Sequence, residues 1–428
     1  MLRFVASTVR VVLFLFLLIP VLRVRGEATG ERNNVCPTYD DYYTIKNNSK
    51  CWYDLGAEYI APEIIHLLGY PVQTHRVVTP DGYILTVFRI PNDGHRNPKA
   101  KKHPVYLQHG LVATCNNFLA LQKDSLAFVL WEAGYDVWLG NYRGTFYSEG
   151  HVNLTVRDQA FWDTSMDQVA LIDIPAIFQT ILSHTGADSQ IIYIGHSLGT
   201  SFALMYGSEF PEESRRIVKM FVLLCPAYTL GNMISPYKVF APYGNWIVDT
   251  VMDLKLQRIV SEAKELGRLI TPVCLESPPL MRVCMQFYNL FYGAKADFGA
   301  EIVPVYFRQL PGGTSIKILN HAADLVLGNF RKYNYAPKIN LQKYGSRKAP
   351  VFDISKIEVP TYIVYSTQDW ATPEADARIL YRNLHPRARH GIRKVDLPNF
   401  NHIDFVMGRH ARKVVYDPLI QVINDAIN

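Results

Sequence analysis

The sequence has few cysteines, no internal repeats and, after its first residues, no long apolar run. Six cysteines in 428 residues are too few for a fold that disulfides hold together. No later segment offers the ~18 consecutive uncharged apolar residues that indicate a membrane-spanning helix. The 26 glycines and 25 prolines are close to average use and exclude collagen-like and low-complexity architectures. With 49% hydrophobic residues, the chain can bury a large globular core.

The excess of positive charge is small and unevenly placed. The formal net charge is +6, which alone would suggest an anionic partner such as nucleic acid or a membrane surface. Four arginines and no acidic residue, however, lie within residues 1–26. Without that segment the chain has 40 Lys and Arg and 38 Asp and Glu, which gives a net charge of +2. No nucleic-acid partner is therefore expected. The basic clusters at 99–102 and 387–393 are predicted to be solvated loops.

Residues 1–26 have the pattern of a secretory signal peptide. Basic residues open the segment, an apolar run at 11–19 follows, and small residues near its end allow cleavage. A membrane anchor is the alternative, but the run is shorter than the ~20 residues of a spanning helix, and two arginines lie where the span would continue. Two sequons that begin at Asn47 and Asn153 are candidate glycosylation sites of a secreted chain.

The secretory pathway is an oxidising compartment in which cysteines can form disulfides. Six cysteines allow fifteen connectivities, and the sequence alone leaves the pairing open. Cys274 and Cys284 could pair, and so could Cys36 and Cys51. Cys225 lies in an apolar run and is expected to be a buried free thiol.

Short β-type runs alternate with helical stretches along most of the chain. Strands are predicted at 83–90, 104–108, 135–139, 190–194, 218–224, 361–365 and 393–397. Helical spacing is found at 161–182, 374–384 and 409–427. Alternation of this kind indicates the α/β class, with a mostly parallel sheet that helices cover on both faces.

The interval from about 229 to 347 breaks this alternation. It is rich in Tyr, Phe, Met and Leu, and strand signals resume at 361. We interpret it as a helical insertion over one edge of the sheet, in preference to a second independent domain, because the later strands continue the same alternation. The predicted organisation is a signal peptide at 1–26, an N-terminal segment at 27–57 and one α/β domain at 58–428.

The strongest local signal is Gly195-His196-Ser197-Leu198-Gly199, which lies between a predicted strand and a helix. A serine at a sharp strand-to-helix turn projects its hydroxyl at the carboxyl edge of the sheet. Glycines are needed two positions before and after it, because side chains there would collide in the turn. The start of the following helix directs its amides at the same place. Ser197 is therefore the candidate nucleophile, with a structural turn and a solvated serine as the alternative.

A serine nucleophile needs a base and an acid that orients the base, and in this arrangement the acid precedes the histidine along the chain. Asp369 follows the predicted strand at 361–365, and His402 lies just before the last helix. Asp404 could also orient His402, but it is better explained as a carboxylate at a helix start. Position along the chain or an exposed, charged setting disfavours the remaining candidates: Asp163, Asp167, Asp173, Asp353, Asp396, His321, His385, His390 and His410.

Acyl transfer also needs amide donors for the oxyanion of the transition state. The residue after the nucleophile, Leu198, supplies one donor, and the loop after the third strand supplies the second. In that loop the apolar run at 104–108 is followed by His109-Gly110-Leu111. Gly110 lets the backbone come close, and the amide of Leu111 is the expected donor.

Together these motifs resemble the acid lipases, the gastric and lysosomal acid lipase group of the α/β-hydrolases. The resemblance covers residues from about 58 to 428. Besides the serine motif it is carried by EIIHLLGYP at 63–71, TPDGYIL at 79–85, QHGL at 108–111, DVWLGNYRG at 136–144, FWDTS at 161–165, the Asp-Trp pair at 369–370 and NHIDF at 401–405. These separated motifs are far more specific than the serine motif alone.

The resemblance implies an α/β-hydrolase fold with a Ser197–Asp369–His402 triad and an oxyanion hole formed by the amides of Leu111 and Leu198. One position departs from the family, since Leu198 stands where the family usually has Gln. The backbone donor is kept, whereas a polar contact of the side chain would be lost, and substrate preference could change.

The resemblance also implies a Cys274–Cys284 disulfide within a lid-bearing cap, the insertion at about 229–347, which would cover the site. The expected protein is a secreted or lysosomal serine lipase or esterase that hydrolyses lipid esters, such as triacylglycerols or cholesteryl esters, through an acyl-enzyme. This chemistry requires no metal and no organic cofactor. The expected partner is a lipid ester at a droplet or micelle surface, with peripheral contact and no transmembrane span.

Two other functions stay open. The first is a catalytically silent lipid carrier on a lipase scaffold, which the intact Ser, Asp, His and His-Gly elements disfavour. The second is an esterase for small, soluble esters.

Overall fold

A computed structural model describes residues 32–92, 94, 103–186 and 189–427. The predicted signal peptide at 1–26 and the basic cluster at 99–102 lie outside the described residues. Among the residues that are described, no helix has the length and apolar character needed to cross a membrane.

One sheet dominates the described part of the chain. Its nine strands are β1 (Gln73–Val78), β2 (Tyr83–Ile90), β3 (Pro104–Gln108), β4 (Asp136–Leu139), β5 (Gly150–His151), β6 (Ile191–His196), β7 (Val218–Leu224), β8 (Thr361–Tyr365) and β9 (Arg389–Lys394). They lie in the order β1-β2-β4-β3-β6-β7-β8-β9, with β5 beside β2. All pairings from β4 to β9 are parallel, and β2 is antiparallel to its neighbours. The predicted mostly parallel sheet is therefore confirmed.

Helices cover both faces of this sheet. The α-helices outside the interval between β7 and β8 are Ala61–Leu67, Leu126–Glu132, Met166–Gln168, Ile174–Thr185, Leu198–Glu209, Pro211–Ile217, Glu374–Asn383, Asp404–Met407 and Asp417–Ile427. Two π-helical turns, Val169–Asp173 and Arg412–Tyr416, each lead into an α-helix. Short 3-10 helices are Asp40–Asn47, Leu55–Ala57, Cys115–Leu119, Gln122–Asp124, Gln159–Trp162, Ile354–Lys356 and Pro386–Ala388.

Alternate residues of the central strands face two apolar layers. In β6, Ile192 and Ile194 belong to the layer that contains Leu419, whereas Tyr193 belongs to the opposite layer with Phe202. Strands that are covered on both faces have nearly continuous apolar sequences. This explains why β2, β3, β7 and β8 have the bounds that the sequence predicts.

The prediction of a strand at 393–397 is wrong in position, because the last strand is β9 at Arg389–Lys394. This strand pairs with β8 at the edge of the sheet and is partly exposed, so it is rich in charged residues. The prediction of a solvated loop at 387–393 is therefore wrong for residues 389–393, which lie in this strand. Val395 follows the strand, and its amide donates to the Tyr365 carbonyl at 2.8 Å. Asp396, expected inside a strand, is exposed beyond its end. The opposite edge strand, β1, is equally polar and was not predicted.

The residues between β7 and β8 form helices and add no strand to the sheet in the described part of the chain. These helices are Tyr237–Phe240, Ala241–Tyr243 (3-10), Gly244–Asp253, Gln257–Ser261, Ala263–Cys274, Pro278–Tyr292, Ile302–Gln309, Ile316–Val326 and Pro337–Tyr344. We call residues 229–347 the insertion. A Cys274–Cys284 disulfide joins two of its helices. The N-terminal segment packs against the insertion, where the Tyr42 hydroxyl donates to the Ala300 carbonyl at 3.0 Å.

Arg143 is buried at the centre of an ion-pair network. Its guanidinium donates to Asp173 at 2.6 and 2.9 Å and to Asp81 at 2.5 and 3.0 Å, and it lies 4.1 Å from the centre of the Tyr83 ring. The Asp173 side chain is 0% exposed, and burial raises the pKa of this carboxyl. The network joins the loop after β4, which contains Arg143, to the π-helical turn Val169–Asp173.

We expect Arg143→Met to lower the free energy of unfolding by about 3–5 kcal/mol, because it leaves a buried carboxylate without its partner. Urea denaturation followed by far-UV circular dichroism measures the change. The double variant R143M/D173N removes both charges and should recover part of the loss. A loss below about 1 kcal/mol in the single variant, the level typical of exposed pairs, would contradict this account of the network.

Candidate active site

Ser197 lies on the tight turn between β6 and the helix Leu198–Glu209. Its φ of 55° and ψ of −124° are unusual for a residue with a side chain and are typical of strained functional turns. A Cβ on Gly195 would lie 2.8 Å from backbone atoms of Gly199, and one on Gly199 would lie 2.4 Å from the Gln108 carbonyl oxygen. The space around the turn therefore requires both glycines of the motif.

The structure brings Ser197, His402 and Asp369 together in a hydrogen-bonded series. The distance from Ser197 Oγ to His402 Nε2 is 2.8 Å, and the distance from His402 Nδ1 to Asp369 Oδ2 is 2.7 Å. His402 and Asp369 are 2% and 1% exposed. In this arrangement the Ser197 hydroxyl can donate to Nε2, and the N–H at Nδ1 can donate to the carboxylate.

The Asp369 carboxylate is fixed by its own loop. Its Oδ1 accepts the amides of Ala371 and Thr372, both at 2.8 Å, and its Oδ2 accepts the Thr372 hydroxyl at 2.7 Å. The same hydroxyl lies 3.5 Å from His402 Nδ1. Sequence reasoning missed Thr372, although a Thr three residues after an Asp is a recognisable turn pattern.

Two amides beside Ser197 are available as donors. A Cβ on Gly110 would lie 2.8 Å from the Cβ of Ser197 and 3.3 Å from its Oγ, so the loop after β3 passes directly beside the serine. Leu198 is the first residue of the helix after Ser197. Within the described residues, the amides of Leu111 and Leu198 make no hydrogen bond. This geometry suits an oxyanion hole.

His196 is hydrogen-bonded to the backbone of His402. Its Nε2–H donates to the His402 carbonyl at 3.1 Å, and burial lowers the pKa of His196 to about 3. A neutral His196 therefore adds no positive charge beside the His402 imidazole. This residue precedes the serine in the motif, but no sequence signal indicated its role.

One cluster has the residue types of a metal site. His196, Cys225 and His402 each offer a ligand atom, and these atoms lie within 4.8 Å of one another. Burial raises the pKa of the Cys225 thiol well above its usual range, whereas metals bind the thiolate. Both ring nitrogens of His402 are engaged with Ser197 and Asp369. The cluster therefore fits a serine nucleophile and its base better than a metal centre.

Known proteins resemble the chain in sequence and in fold. The family model described as a partial alpha/beta-hydrolase lipase region matches residues 61–122, and that of the alpha/beta hydrolase fold matches residues 103–250. Lipase lipl-1 of Caenorhabditis elegans is 34% identical over 86% of this chain and 92% of its own length. Gastric triacylglycerol lipase of Rattus norvegicus is 33% identical over 84% of this chain and 90% of its own.

The chain belongs to the acid lipase family of the α/β-hydrolases. Lipase member K of Mus musculus is a further relative, at 34% identity over 85% of this chain and 91% of its own. Among solved structures, an esterase from Exiguobacterium antarcticum shares the fold, with a TM-score of 0.50 at 16% identity over 82% of this chain and 100% of its own. Family membership and fold support a carboxylic ester hydrolase.

The chain contains two disulfides, Cys36–Cys51 and Cys274–Cys284. Cys115 and Cys225 are free and buried. Asn47 and Asn153, the first residues of the two sequons, are exposed, and their glycosylation stays a prediction.

Three other candidate acids and bases are engaged elsewhere. Asp173 pairs with Arg143. His321 is buried in the insertion, where its Nε2 lies 2.7 Å from the Arg331 carbonyl. Asp404 begins the short helix Asp404–Met407, as expected, and its carboxyl accepts three backbone amides. None of these groups contacts Ser197.

Asp404 should make the stability of the protein depend on pH. Burial raises its pKa from 3.8 to about 7, so the folded state binds this proton more tightly than the unfolded state does. The resulting stability is full below about pH 4 and is lost as the pH rises through about 7. As the pH rises between these values, we expect the stability of the Asp404→Asn variant to fall less than that of the wild type. Thermal denaturation across the range measures this difference, and parallel curves would contradict the assignment.

Tyr292, from the insertion, is another residue beside the site that sequence reasoning missed. Its ring stacks on the His402 imidazole, with centroids 5.4 Å apart and an interplanar angle of 16°. The contact joins residues that are 110 positions apart in the sequence, and no local pattern indicates it.

Proposed function

We propose that this protein hydrolyses lipid carboxylic esters, triacylglycerols or cholesteryl esters, through an acyl-enzyme on Ser197. The observation that carries the proposal is the series of hydrogen bonds from Ser197 to His402 to Asp369. The adjacent amides of Leu111 and Leu198 support it. A nucleophile, a base, an acid that orients the base and amide donors are the groups that acyl transfer from an ester requires.

Acylation begins with attack of Ser197 Oγ on the ester carbonyl carbon. His402 Nε2 takes the hydroxyl proton, and Asp369 holds the imidazole in the tautomer that has its proton at Nδ1. The amides of Leu111 and Leu198 stabilise the negative charge on the carbonyl oxygen. The tetrahedral intermediate then expels the alcohol, which receives the proton from Nε2.

Deacylation repeats these steps with water. His402 Nε2 takes a proton from the water as its oxygen attacks the acyl carbon, and the same amides hold the second oxyanion. Ser197 leaves as the hydroxyl after it receives the proton from Nε2. The fatty acid is released, and the enzyme returns to its starting state. The proposed reaction consumes one ester and one water and needs no cofactor.

The insertion exposes the apolar surface that a lipid substrate would contact. Large apolar side chains of the insertion that are between 48% and 66% exposed include Ile234, Val239, Phe240, Tyr243, Trp246, Val283, Phe287 and Leu290. Ring contacts link Phe287 through Phe291 to Tyr237, with centroids 5.2 and 4.8 Å apart. Exposed patches of this kind favour contact with a protein or lipid surface. They support peripheral association with a droplet or micelle.

A location in the secretory pathway or the lysosome is proposed for the same protein. The two disulfides are typical of chains that fold in an oxidising compartment. The gastric relative and the predicted signal peptide support the same location.

A substrate panel tests the proposed activity. The purified protein would be assayed at pH 5 and pH 7.5 with emulsified trioleoylglycerol, cholesteryl oleate in micelles and dissolved p-nitrophenyl butyrate. We expect turnover of at least one emulsified long-chain ester at a rate that rises with the area of the lipid surface. Turnover of the dissolved ester alone would favour a small-ester esterase. Absence of turnover, with no labelling of Ser197 by a fluorophosphonate, would favour a lipid carrier.

A further inference from the structure

The residues at the end of the long helix Pro278–Tyr292 and just after it lie between the two loops that carry Asp369 and His402. We call residues 292–298 the clamp segment. The Tyr292 carbonyl accepts the amide of Trp370 at 3.1 Å. At Gly293, where φ is 147°, a Cβ would lie 2.4 Å from the Gln368 carbonyl oxygen and 2.7 Å from the Cβ of Asn401. The clamp segment therefore touches both loops where only a glycine fits.

Asp404 ties the clamp segment to the loop of His402. Its Oδ2 accepts the amide of Asn401 at 2.7 Å and that of Asp297 at 2.9 Å, and its Oδ1 accepts the amide of Phe298 at 3.2 Å. Asp404 is 0% exposed. One carboxyl thus joins the residue before His402 to two residues of the insertion.

Asp297 extends this connection to His410, beyond the end of the helix Asp404–Met407. Its carboxylate accepts the amide of His410 at 2.7 Å and contacts Nδ1 of the His410 ring at 2.7 Å. The clamp segment is therefore hydrogen-bonded to the first residue of that helix and to the chain after it.

We propose that Asp404 is a positioning residue for His402, which acts by holding the clamp segment against the loops of His402 and Asp369. The inference rests on the proposed function, because it concerns the same imidazole. The hydrogen bonds that Asp404 accepts from Asn401 and from the clamp segment fix the position of the His402 loop. The ring of Tyr292, in the clamp segment, stacks on the His402 imidazole. A displacement of about 1 Å at a reacting group can cost about 100-fold in rate, so a small movement of this loop is enough to be measured.

Asp404→Ala and Asp404→Asn test the inference. Alanine removes both acceptor oxygens and with them all three hydrogen bonds, whereas asparagine has the same shape and keeps one oxygen for the amides of Asn401 and Asp297. We expect kcat for p-nitrophenyl butyrate to fall about 100-fold with alanine and about tenfold or less with asparagine. The KM for this dissolved ester should change by less than about twofold, because binding of the acyl chain is not altered.

Asp167→Asn is the matched control. Asp167 is a buried carboxylate that accepts a backbone amide of the insertion, that of Tyr333 at 2.8 Å, and burial raises its pKa as well. It lies on the helix Met166–Gln168 and contacts neither loop of the triad. We expect this variant to lose thermal stability while kcat per folded molecule stays within about twofold of the wild type.

The downfield proton resonance of the hydrogen bond between His402 Nδ1 and Asp369 provides a readout that does not depend on turnover. We expect it to shift or broaden in both Asp404 variants and to be unchanged in Asp167→Asn. Wild-type kcat per folded molecule and an unchanged resonance in the Asp404 variants would overturn the inference. If the wild type hydrolyses no ester, the proposed function fails, and this resonance still decides whether Asp404 positions the imidazole. Should the alanine variant not fold, the asparagine variant decides the same question.

Discussion

Ser197→Ala is expected to lower kcat for ester hydrolysis by about 10⁶-fold, the scale seen when the nucleophile of a serine hydrolase is removed. The acyl-enzyme cannot form without the hydroxyl, and the remaining groups only polarise the carbonyl. Alanine fits the same backbone turn, and the flanking glycines are unchanged, so the melting temperature should stay close to that of the wild type. Initial rates on emulsified and dissolved esters measure the effect.

Ser208→Ala is the control for this substitution. Ser208 is buried in the same helix, Leu198–Glu209, where its hydroxyl donates to the Met205 carbonyl at 3.2 Å. It is remote from the turn at Ser197 and should keep wild-type kcat. Activity of Ser197→Ala within about tenfold of the wild type would remove Ser197 from the mechanism, since no partial role of a nucleophile leaves that much rate.

Asp369→Asn is expected to lower kcat by about 10⁴-fold, because the His402 imidazole loses the acceptor that holds it in the productive tautomer. The asparagine oxygen can still accept the amides of Ala371 and Thr372, so the loop should keep its shape. Steady-state kinetics, together with a circular dichroism spectrum that matches the wild type, would establish the effect.

Asp396→Asn serves as the matched control, since Asp396 is exposed beyond β9. It should leave kcat unchanged. A loss of less than about tenfold in Asp369→Asn would mean that another carboxylate orients the imidazole. Asp404 would then be the first to examine, because it lies two residues from His402.

Local sequence patterns predicted those parts of the site that depend on local geometry. The turn at Ser197 needs glycine at 195 and 199 because a Cβ at either position would lie within 3 Å of backbone atoms, and such a requirement is visible in the sequence. Asp369 and His402 follow strand ends of a parallel sheet, where side chains converge at one edge. Their order along the chain was therefore enough to select them from many rivals.

The features that the sequence did not predict depend on contacts between distant segments. The clamp segment contacts the loops of Asp369 and His402, although more than 70 residues of chain lie between them. No sequence pattern near Gly293 predicts this contact. The edge strands β1 and β9 are polar because they are partly exposed, and polar runs resemble loops. The buried Arg143 network joins residues 81, 143 and 173, which no periodic pattern connects.

The most direct test is to trap the acyl-enzyme on a lipid substrate. Wild-type protein would be mixed with emulsified trioleoylglycerol, quenched in acid during turnover and digested, and the peptides would be analysed by mass spectrometry. We expect an oleoyl group on the peptide that contains Ser197, at that residue, and no adduct in Ser197→Ala. Hydrolysis of the lipid with no acyl group on Ser197, or with the acyl group on another residue, would contradict the proposed mechanism.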